Sequence, residues 1–373
     1  MKSLAIVFIR NDRRLLDHEG LVRSQEFDQF LILATYPPQW NMPDRISSQR
    51  KEFIQASLNA FADSLGQIPL HFHENPELVI YELTKQFDVT VFCEQQGAEE
   101  EETQLSKINA KVVRTRANTI FDEVRLFPTF TPFRSYVEKY LKPSLPLGRV
   151  KLNQQSALKI EQYLFKKFTV AHDFCGEERA LNRVDHYLTH YLDQYEETRN
   201  YLESEEGSSK FSYYLSSGEL SVRWLYHEIA KRDPKNWLIV ELLWREFFWQ
   251  HKIDFTLPSK GEKISDWQSK IHHPLAKAIY NELITTGYIS NRSRQILASY
   301  LIYELNLDWK IGASFFEKHL FDYDVFVNWG NWQYIAGVKF DPRGGRKFNL
   351  DLQVERFDFN SLYQSKWSHL PKK

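Results

Sequence analysis

Apolar runs alternate with amphipathic stretches through the first 125 residues of the chain. Apolar runs typical of buried strands lie at 4–9, 30–36, 69–74, 89–94 and 111–115. Between them the apolar spacing becomes helical, most clearly over 47–66, where Phe53, Leu58 and Phe61 fall on one face. This alternation of strand and helix predicts an α/β domain over residues 1–125 with an open parallel sheet.

The pattern changes after residue 125. Residues 126–170 contain the segments FPTFTPF and KPSLPLG, and this proline content predicts an extended, stiff interdomain linker that is poor in regular structure. From residue 171 onward the apolar spacing is helical, without a convincing alternating segment, so residues 171–373 are expected to form an all-helical domain. Within it, residues 176–202 are interpreted as one long amphipathic stretch.

The composition excludes several classes of site. The chain has 373 residues, two cysteines and a formal net charge of −1. Two cysteines exclude a four-cysteine iron–sulfur cluster or zinc site and argue against a disulfide framework, and we predict no metal site. No G-x-G-x-x-G follows the first strand, so the dinucleotide-binding fingerprint is absent. Because the net charge is close to zero, nucleic-acid binding would have to come from a local basic patch.

The sequence also bears on location. No apolar run approaches the roughly 18 residues that a membrane-spanning helix needs. The apolar run that follows Lys2 ends in Arg10, Arg13 and Arg14 without a small-residue cleavage site, which predicts a buried first strand rather than a signal peptide. We therefore expect a cytoplasmic protein.

Three polar clusters interrupt the helical pattern near the C-terminal end of the chain. They contain, in order, Asn291, Arg292 and Arg294, then Asp322 and Asp324, then Asn328 and Trp332. Arg294 is expected to pair with Asp322 across a dry pocket wall, and Asn328 and Trp332 lie one helical turn apart. Each cluster alone is also compatible with an ordinary helix cap or with core aromatics. Together they predict half of a cofactor pocket built from helix ends.

Two further motifs bear on that pocket. The loop GSSKFS (207–212) offers hydroxyls, backbone donors and a lysine before a helix, which suits either a phosphate group or a simple helix cap. The helix segment ELLWREFF places Glu241 and Arg245 at i and i+4 with Trp244 beside them. Glu241 and Arg245 either form a surface ion pair or, because apolar residues surround them, belong to a site that is not freely solvated.

The motifs resemble those of the photolyase and cryptochrome family, and are most similar to its cryptochrome-DASH branch. The segments that carry the resemblance are IVFIRNDRRLLDHEGL (6–21), FPTFTPFRSYVE (127–138), GEERAL (176–181), YEETRN (195–200), SSKFS with GELS (208–221), ELLWREFF (241–248), TGYISNRSRQ (286–295), LDWKIGASFFEKHLFDYD (307–324), NWGNWQYIAGV (328–338) and DPRGGRKFN (341–349). They follow the family's order and cover both domains. At 373 residues the chain is short for the family.

The resemblance implies a Rossmann-like antenna domain followed by an all-α FAD-binding domain. The implied enzyme is a deoxyribodipyrimidine photolyase, a lyase in which reduced FAD, excited by blue light, donates an electron to a cyclobutane pyrimidine dimer in DNA. The implied partner is DNA in single-stranded or looped form, bound by a monomer, with the lesion turned out of the base stack. The alternative is a cryptochrome-DASH-like photoreceptor that binds nucleic acid or signals without repair.

The resemblance also assigns residues around the flavin. Contacts to the phosphates and the ribityl chain are implied for Tyr195, Ser208, Ser209, Lys210 and Ser212. The residues implied around the isoalloxazine ring are Asn291, Arg294, Asp322, Asp324 and Asn328, with Asn328 opposite its reactive nitrogen. Arg245 is implied as a further cofactor-binding residue.

On the substrate side, the resemblance implies that Glu241 hydrogen-bonds and Trp244 stacks on the lesion, with Gln295 and Tyr334 lining the same cavity. Contacts to the DNA backbone are implied for Arg292, Lys339, Arg343, Arg346 and Lys347. Asn291 and Gln295 stand where the six-four branch has a histidine pair, which disfavours six-four repair.

For photoreduction of the flavin, Trp332 and Trp309 match the proximal and middle tryptophans. The distal one is missing from its usual place, which leaves Trp267, Trp329 or a tyrosine as alternatives. A methenyltetrahydrofolate antenna, with Glu94 as its candidate partner, is left open because the surrounding motif is eroded.

Overall fold

A parallel sheet forms the N-terminal part of the molecule. The computed structural model describes residues 1–95, 97–116, 118–170, 174–251 and 267–370. Its strands are β1 (Ser3–Ile9), β2 (Gln29–Ala34), β3 (Leu70–Phe72), β4 (Asp88–Glu94) and β5 (Lys111–Thr115). Over the described residues they pair in the order β3-β2-β1-β4-β5, all parallel, with Ile6 opposite both Leu31 and Val91. The predicted open parallel sheet is thus confirmed, and the run after Lys2 is indeed a buried strand.

Helices cover both faces of this sheet because successive side chains of each strand point to opposite sides. Ala5, Val7 and Ile9 enter one apolar cluster, whereas Leu4 and Ile6 enter another. The covering helices are α1 (Glu19–Ser24), α2 (Ser48–Ser64), α3 (Pro76–Thr84) and α4 (Glu99–Ser106). Since β1 lies between β2 and β4, the chain reverses its winding direction there and leaves a crevice at the carboxyl ends of the strands.

The segment predicted as an extended linker poor in regular structure contains a helix, α5 (Phe130–Tyr140), which the prediction missed. Phe130, Phe133 and Val137 form its buried face. Pro132 lies in the first turn of α5, where a backbone N–H has no partner within the helix, so its ring is tolerated. The chain after α5 runs along the sheet domain, as the hydrogen bond from the Leu158 amide to the Phe30 carbonyl shows (2.8 Å).

From residue 174 onward the described chain is helical, as predicted. Its helices are α6 (Glu177–His190), α7 (Tyr195–Thr198), α8 (Ser212–Ser217), α9 (Val222–Arg232), α10 (Trp237–Trp249), α11 (Pro274–Thr286), α12 (Asn291–Tyr303), α13 (Trp309–His319), α14 (Val325–Ala336), α15 (Leu350–Phe357) and α16 (Leu362–Lys366). The stretch 176–202 is not continuous, because Tyr191 leaves the helical geometry and a 3₁₀ turn follows it. The domain boundaries near 125 and 171 stay predictions.

Helix α14 lies at the centre of this helical part and packs closely on two neighbours. A Cβ on Gly330 would come within 2.3 Å of the Phe248 ring of α10, and one on Gly312 would come within 2.1 Å of the Trp332 ring. Glycine at these two positions therefore allows α10, α13 and α14 to approach each other. Polar contacts fix the two domains together, because Arg14 donates to the Gly218 carbonyl at 3.0 Å.

Candidate active site

A cavity of about 350 Å³ lies between the helices of the C-terminal part. It brings together most of the residues singled out in the sequence. They are Tyr195, Ser208, Ser209, Lys210, Ser212, Glu241, Trp244, Arg245, Asn291, Arg292, Arg294, Gln295, Asp322, Asp324, Asn328, Trp332 and Tyr334. The cavity does not include Glu94, Trp309, Lys339, Arg343, Arg346 or Lys347, each of which lies elsewhere in the described structure.

One end of the cavity is a hydroxyl-rich loop that precedes α8. Lys210 in this loop has a left-handed backbone (φ 58°). Ser208 shares a hydrogen bond of 2.6 Å with the Tyr288 hydroxyl, and Arg183 donates from Nε to the Ser209 carbonyl at 3.0 Å while it pairs with Glu206. Arg183 and Tyr288 thus hold the loop from outside it. Hydroxyls and an ammonium group at one end of a cavity suit a phosphorylated ligand.

The predicted pair of Arg294 and Asp322 forms the middle of the wall. Arg294 Nη2 lies 2.9 and 2.7 Å from the two carboxylate oxygens of Asp322, whose side chain is fully buried. Arg294 Nε also donates to the Ile289 carbonyl at 3.0 Å. Burial alone would lower the pKa of Arg294, but the Asp322 carboxylate together with Tyr288 and Tyr213 outweighs it, so the pKa is raised. The guanidinium is therefore charged and fixed in orientation.

Asp324 and Asn328 extend this wall along the start of α14. Asp324 caps the helix by accepting from the Val327 amide (3.1 Å), and its second oxygen accepts from Trp249 Nε1 (2.8 Å). The Asn328 amide nitrogen donates to the Ala313 carbonyl at 3.0 Å, which fixes the orientation of this carboxamide on the cavity wall. Both polar groups are therefore held in place before any ligand binds.

Glu241 lines the cavity with its side chain 25% exposed, and the part of the cavity lined by Glu241 and Trp244 is called the mouth. Its carboxylate accepts hydrogen bonds from Arg199 and from Trp237 Nε1, the latter at 3.1 Å. Burial raises the pKa of Glu241, and the positive charge of Arg199 opposes that effect. The Arg199 guanidinium also lies 4.9 Å from the centre of the Trp237 ring.

The alternative of a Glu241–Arg245 ion pair is wrong. Arg245 points the other way, donating to the Asn118 carbonyl at 2.7 Å and lying 3.7 Å from Asp324. Arg199 is the partner of Glu241 and was not predicted from the sequence. The one available signal was its position in the YEETRN motif.

Aromatic rings hold Trp244 at the same mouth. The ring of Phe130 stacks on it at 3.7 Å, and Tyr334 meets it edge-on at 5.4 Å. Tyr334 in turn accepts a hydrogen bond from Arg346, which pairs with Asp341. One face of the Trp244 indole is thus occupied, and its orientation is fixed.

Further basic residues are Arg292, which lines the cavity, and three residues outside it on the segment after α14. Arg292 donates to the Asn200 side chain at 2.9 Å, and Lys339, Arg343 and Lys347 are exposed on the segment after α14. These residues are candidates for the local basic patch that nucleic-acid binding by a chain of near-zero net charge would require.

Comparison with known proteins agrees with this geometry. The family model for the FAD binding domain of DNA photolyase matches residues 219–371, and the DNA photolyase model matches residues 5–149. The cryptochrome DASH of Idiomarina loihiensis is 31% identical over 418 aligned positions, which cover 98% of this chain and 92% of that one. The chain belongs to the DNA photolyase and cryptochrome family. The alignment has 418 positions and the chain has 373 residues, so the alignment contains gaps where the relative has segments that this chain lacks.

Solved structures support the same assignment. A cryptochrome from Synechocystis sp. superposes with a TM-score of 0.82 at 30% identity, covering 98% of this chain and 88% of that one. A photolyase from Sulfolobus tokodaii, solved with two FAD molecules, has a TM-score of 0.77 at 22% identity, covering 98% of this chain and 90% of that one. The latter likeness shows the fold alone. No helix within the described residues is long and apolar enough to cross a membrane.

The photolyase cavity of this chain fits the FAD that its family binds. A volume of about 350 Å³ lies within the range of sites for organic ligands. The hydroxyl-rich loop with Lys210 suits the phosphates, and the buried Arg294–Asp322 pair with Asn328 gives fixed donors and acceptors for a polar ring edge. When bound, FAD supplies light absorption and one-electron transfer.

Glu94 is separate from the FAD cavity of this photolyase-family chain. Its side chain is 1% exposed and accepts from the Thr115 hydroxyl at 2.8 Å and the Asn118 amide at 3.0 Å. A second cavity of about 80 Å³ lies between the domains, and Glu94 is not among its lining residues. The carboxylate thus has internal partners, and its role toward a folate antenna stays a prediction.

Proposed function

We propose that this protein repairs cyclobutane pyrimidine dimers in DNA, using electron transfer from reduced FAD under blue light. The observation that carries this proposal is the shared cavity, which has Arg294, Asp322 and Asn328 on its wall and Glu241 and Trp244 at its mouth. A dimer that rests on the two mouth residues would lie beside a flavin held by the wall.

The mouth residues have the chemistry to bind and polarise a flipped lesion. Trp244 offers an indole face of fixed orientation for stacking. Burial raises the pKa of Glu241, which favours the protonated carboxyl that can donate a hydrogen bond to a pyrimidine carbonyl. Such a donor stabilises the negative charge that the dimer gains when an electron arrives.

DNA would be held mainly through its phosphates. Arg292 lies at the mouth, and Lys339, Arg343, Arg346 and Lys347 follow on the segment after α14. A single-stranded or looped substrate suits this site, because the dimer then leaves its stack at a smaller energetic cost. We propose that the protein acts as a monomer.

The second candidate is a cryptochrome-DASH-like photoreceptor that binds nucleic acid or signals without repairing it. The observation that favours it is that relatives at about 31% identity are named cryptochrome DASH. The same cavity and basic patch would serve this function, since it requires flavin and nucleic acid but no dimer splitting.

One experiment separates the two candidates. The purified protein is reconstituted with FAD, chemically reduced, mixed with oligo-dT that contains dimers, and exposed to blue light. Recovery of undimerised thymine supports repair, whereas stoichiometric FAD without recovery supports the photoreceptor. The Glu241→Ala variant should retain FAD and repair at least tenfold more slowly, because it keeps the flavin wall and loses the hydrogen bond to the lesion. A second chromophore that absorbs in the near-ultraviolet would establish an antenna.

A further inference from the structure

Three aromatic rings connect the sheet domain to the hydroxyl-rich loop at one end of the cavity. Phe53 lies on α2, is 2% exposed and is not among the residues that line the cavity. Its ring centre lies 6.1 Å from that of Tyr213, which follows the loop on α8. The Tyr213 ring in turn lies 5.0 Å from that of Tyr288, which lines the cavity. These three residues, here called the aromatic bridge, cross from one domain to the other.

Tyr288 joins the aromatic bridge to two polar groups of the cofactor cavity. Its hydroxyl shares the hydrogen bond of 2.6 Å with Ser208, and the guanidinium of Arg294 lies 5.5 Å from the centre of its ring. Burial raises the pKa of Tyr288 to about 12, so the side chain is a neutral phenol at physiological pH. A shift of the Tyr288 ring would therefore move the Ser208 hydroxyl and disturb Arg294 at the same time.

Phe321 packs on the bridge from the other side of the cavity wall. Its ring stacks on Phe53, with centres 5.4 Å apart and planes at 13°. Its amide donates to the Gly287 carbonyl at 2.9 Å, and a Cβ on Gly287 (φ 69°) would come within 2.3 Å of its ring. Gly287 precedes Tyr288 and Phe321 precedes Asp322 in the chain. Both segments of the wall are thus packed on one side chain of the sheet domain.

We propose that Phe53 is a positioning residue for FAD, although it belongs to the sheet domain and lies outside the cavity. It acts through Tyr213 and Tyr288 on the loop that suits the phosphates. Because coupling between two sites is reciprocal, FAD in the cavity should also hold α2 more firmly against the helical part. The inference requires FAD binding but not dimer repair.

Ordinary core packing is the alternative role for Phe53, and Phe61 distinguishes the two. Phe61 lies two turns further along α2, is 1% exposed and belongs to the apolar cluster of Val7 and Ile32 on the sheet. Phe53 belongs instead to a separate cluster with Phe321. If both phenylalanines only stabilise the fold, the same substitution at either position should have the same effect on FAD binding.

The first test compares the FAD affinity of Phe53→Leu and Phe61→Leu apoproteins, without DNA. Quenching of flavin fluorescence gives the Kd at a temperature where circular dichroism shows both variants to be folded. We expect the Kd to rise roughly fivefold in Phe53→Leu, the size expected for loss of aromatic contacts, and to stay within about 1.5-fold of the wild type in Phe61→Leu. Both variants should have a lower Tm. Equal changes in Kd would overturn the proposal.

The second test examines the route through Tyr288. Tyr288→Phe keeps the ring and removes the hydrogen bond to Ser208, so FAD binding should weaken. Phe53→Leu should then cost less in the Tyr288→Phe background than in the wild type, because residues that act through one path are not additive. Full additivity of the two effects on Kd would show that Phe53 does not act through this hydrogen bond.

The third test needs no variant, so it also decides the case if Phe53→Leu does not fold. Hydrogen–deuterium exchange of the wild-type protein is measured with and without stoichiometric FAD. Amides of α2 near Phe53 should slow several-fold more on FAD binding than those of α3, whose Val79 and Ile80 pack against the strands. Equal slowing in the two helices would indicate general stabilisation and contradict the coupling. Since dimer repair is not measured, a protein that fails to repair DNA leaves this result unaffected.

Discussion

The ring of Phe130 lies flat on the indole of Trp244, with ring centres 3.7 Å apart and planes 9° apart. The two residues are 114 positions apart in the chain and belong to α5 and α10. Because Trp244 also meets Tyr334 edge-on, its indole is held from two directions at the mouth of the cavity. The segment between the domains therefore supports the Trp244 indole, on which a flipped base would stack under the proposed function.

Replacing Phe130 with leucine should weaken the binding of dimer-containing DNA. A stacked aromatic pair contributes about 0.5–1.5 kcal/mol beyond burial, and its loss allows the Trp244 indole to turn away from the lesion. We expect the dissociation constant to rise ~2- to 10-fold, with FAD content unchanged, as measured by fluorescence anisotropy of a labelled oligonucleotide. Phe133→Leu is the matched control, because Phe133 is buried on the same helix and contacts Phe130 and Phe247 but not Trp244. Equal weakening in both variants would show a general effect of the helix.

Much of the site could be predicted because its motifs lie at helix ends. Arg294 and Asp322 flank the helical run between them in the sequence, and the structure joins them as expected. Contacts between distant segments could not be predicted in this way. Phe130 lies in a proline-rich segment that resembles a linker. The partner of Glu241 is Arg199, 42 positions earlier, although Arg245 was the nearer candidate.

The strands were the easiest elements to predict. Parallel strands buried on both faces leave uninterrupted apolar runs, such as the one in β1. The helix α5 was missed because proline was interpreted as a helix breaker, although Pro132 lies in the first turn, where it is tolerated. The break after α6 has no glycine or proline to mark it. Tyr191 departs from helical geometry there, and local sequence carries no signal for that.

Removing the charge of Arg199 should shift the pH dependence of repair upward. Burial raises the pKa of Glu241 and the Arg199 charge opposes it, so Arg199→Gln should raise this pKa further. If the protonated carboxyl binds the lesion, the pH at which repair declines should rise in Arg199→Gln relative to the wild type. Initial repair rates between pH 6 and 10 with chemically reduced enzyme measure this. Glu241→Gln should lack that decline altogether, and a downward shift in Arg199→Gln would contradict the assignment.

Replacing Asp322 with asparagine should destabilise the protein and reduce its FAD content. The side chain of Asp322 is fully buried and holds Arg294 by two hydrogen bonds. Removing one partner of such a pair leaves a poorly compensated charge, which costs about 3 kcal/mol. Urea unfolding of the apoprotein and flavin absorbance of the purified protein measure the two effects. Asp351→Asn is the control, because that carboxylate is 94% exposed beside His273, and it should change neither quantity.

Ionisation of the Glu94 carboxyl should make the apoprotein less stable as the pH rises. The Glu94→Gln substitution should abolish this loss of stability. Burial raises the pKa of Glu94 from its ordinary value of 4.5 to about 7. A carboxyl whose pKa is raised on folding contributes stability that is fully present below pH 4.5 and is lost as the pH rises through 7. At about 1.4 kcal/mol per pKa unit, Glu94→Gln should be more stable than the wild type by ~3 kcal/mol at pH 8 and by much less at pH 5.

Glutamine can keep the hydrogen bonds of Glu94 with Thr115 and Asn118 in this comparison. Its carbonyl accepts from the Asn118 amide, and its nitrogen donates to the Thr115 hydroxyl, which can rotate to accept. Urea unfolding at pH 5 and 8 measures the difference, with Glu161→Gln as control because that carboxylate is 75% exposed and should show no pH-dependent effect. A Glu94→Gln protein less stable than the wild type at pH 8 would mean that the folded state favours the ionised carboxylate. In that case Glu94 would act as a buried charge and not as a protonated hydrogen-bonding group.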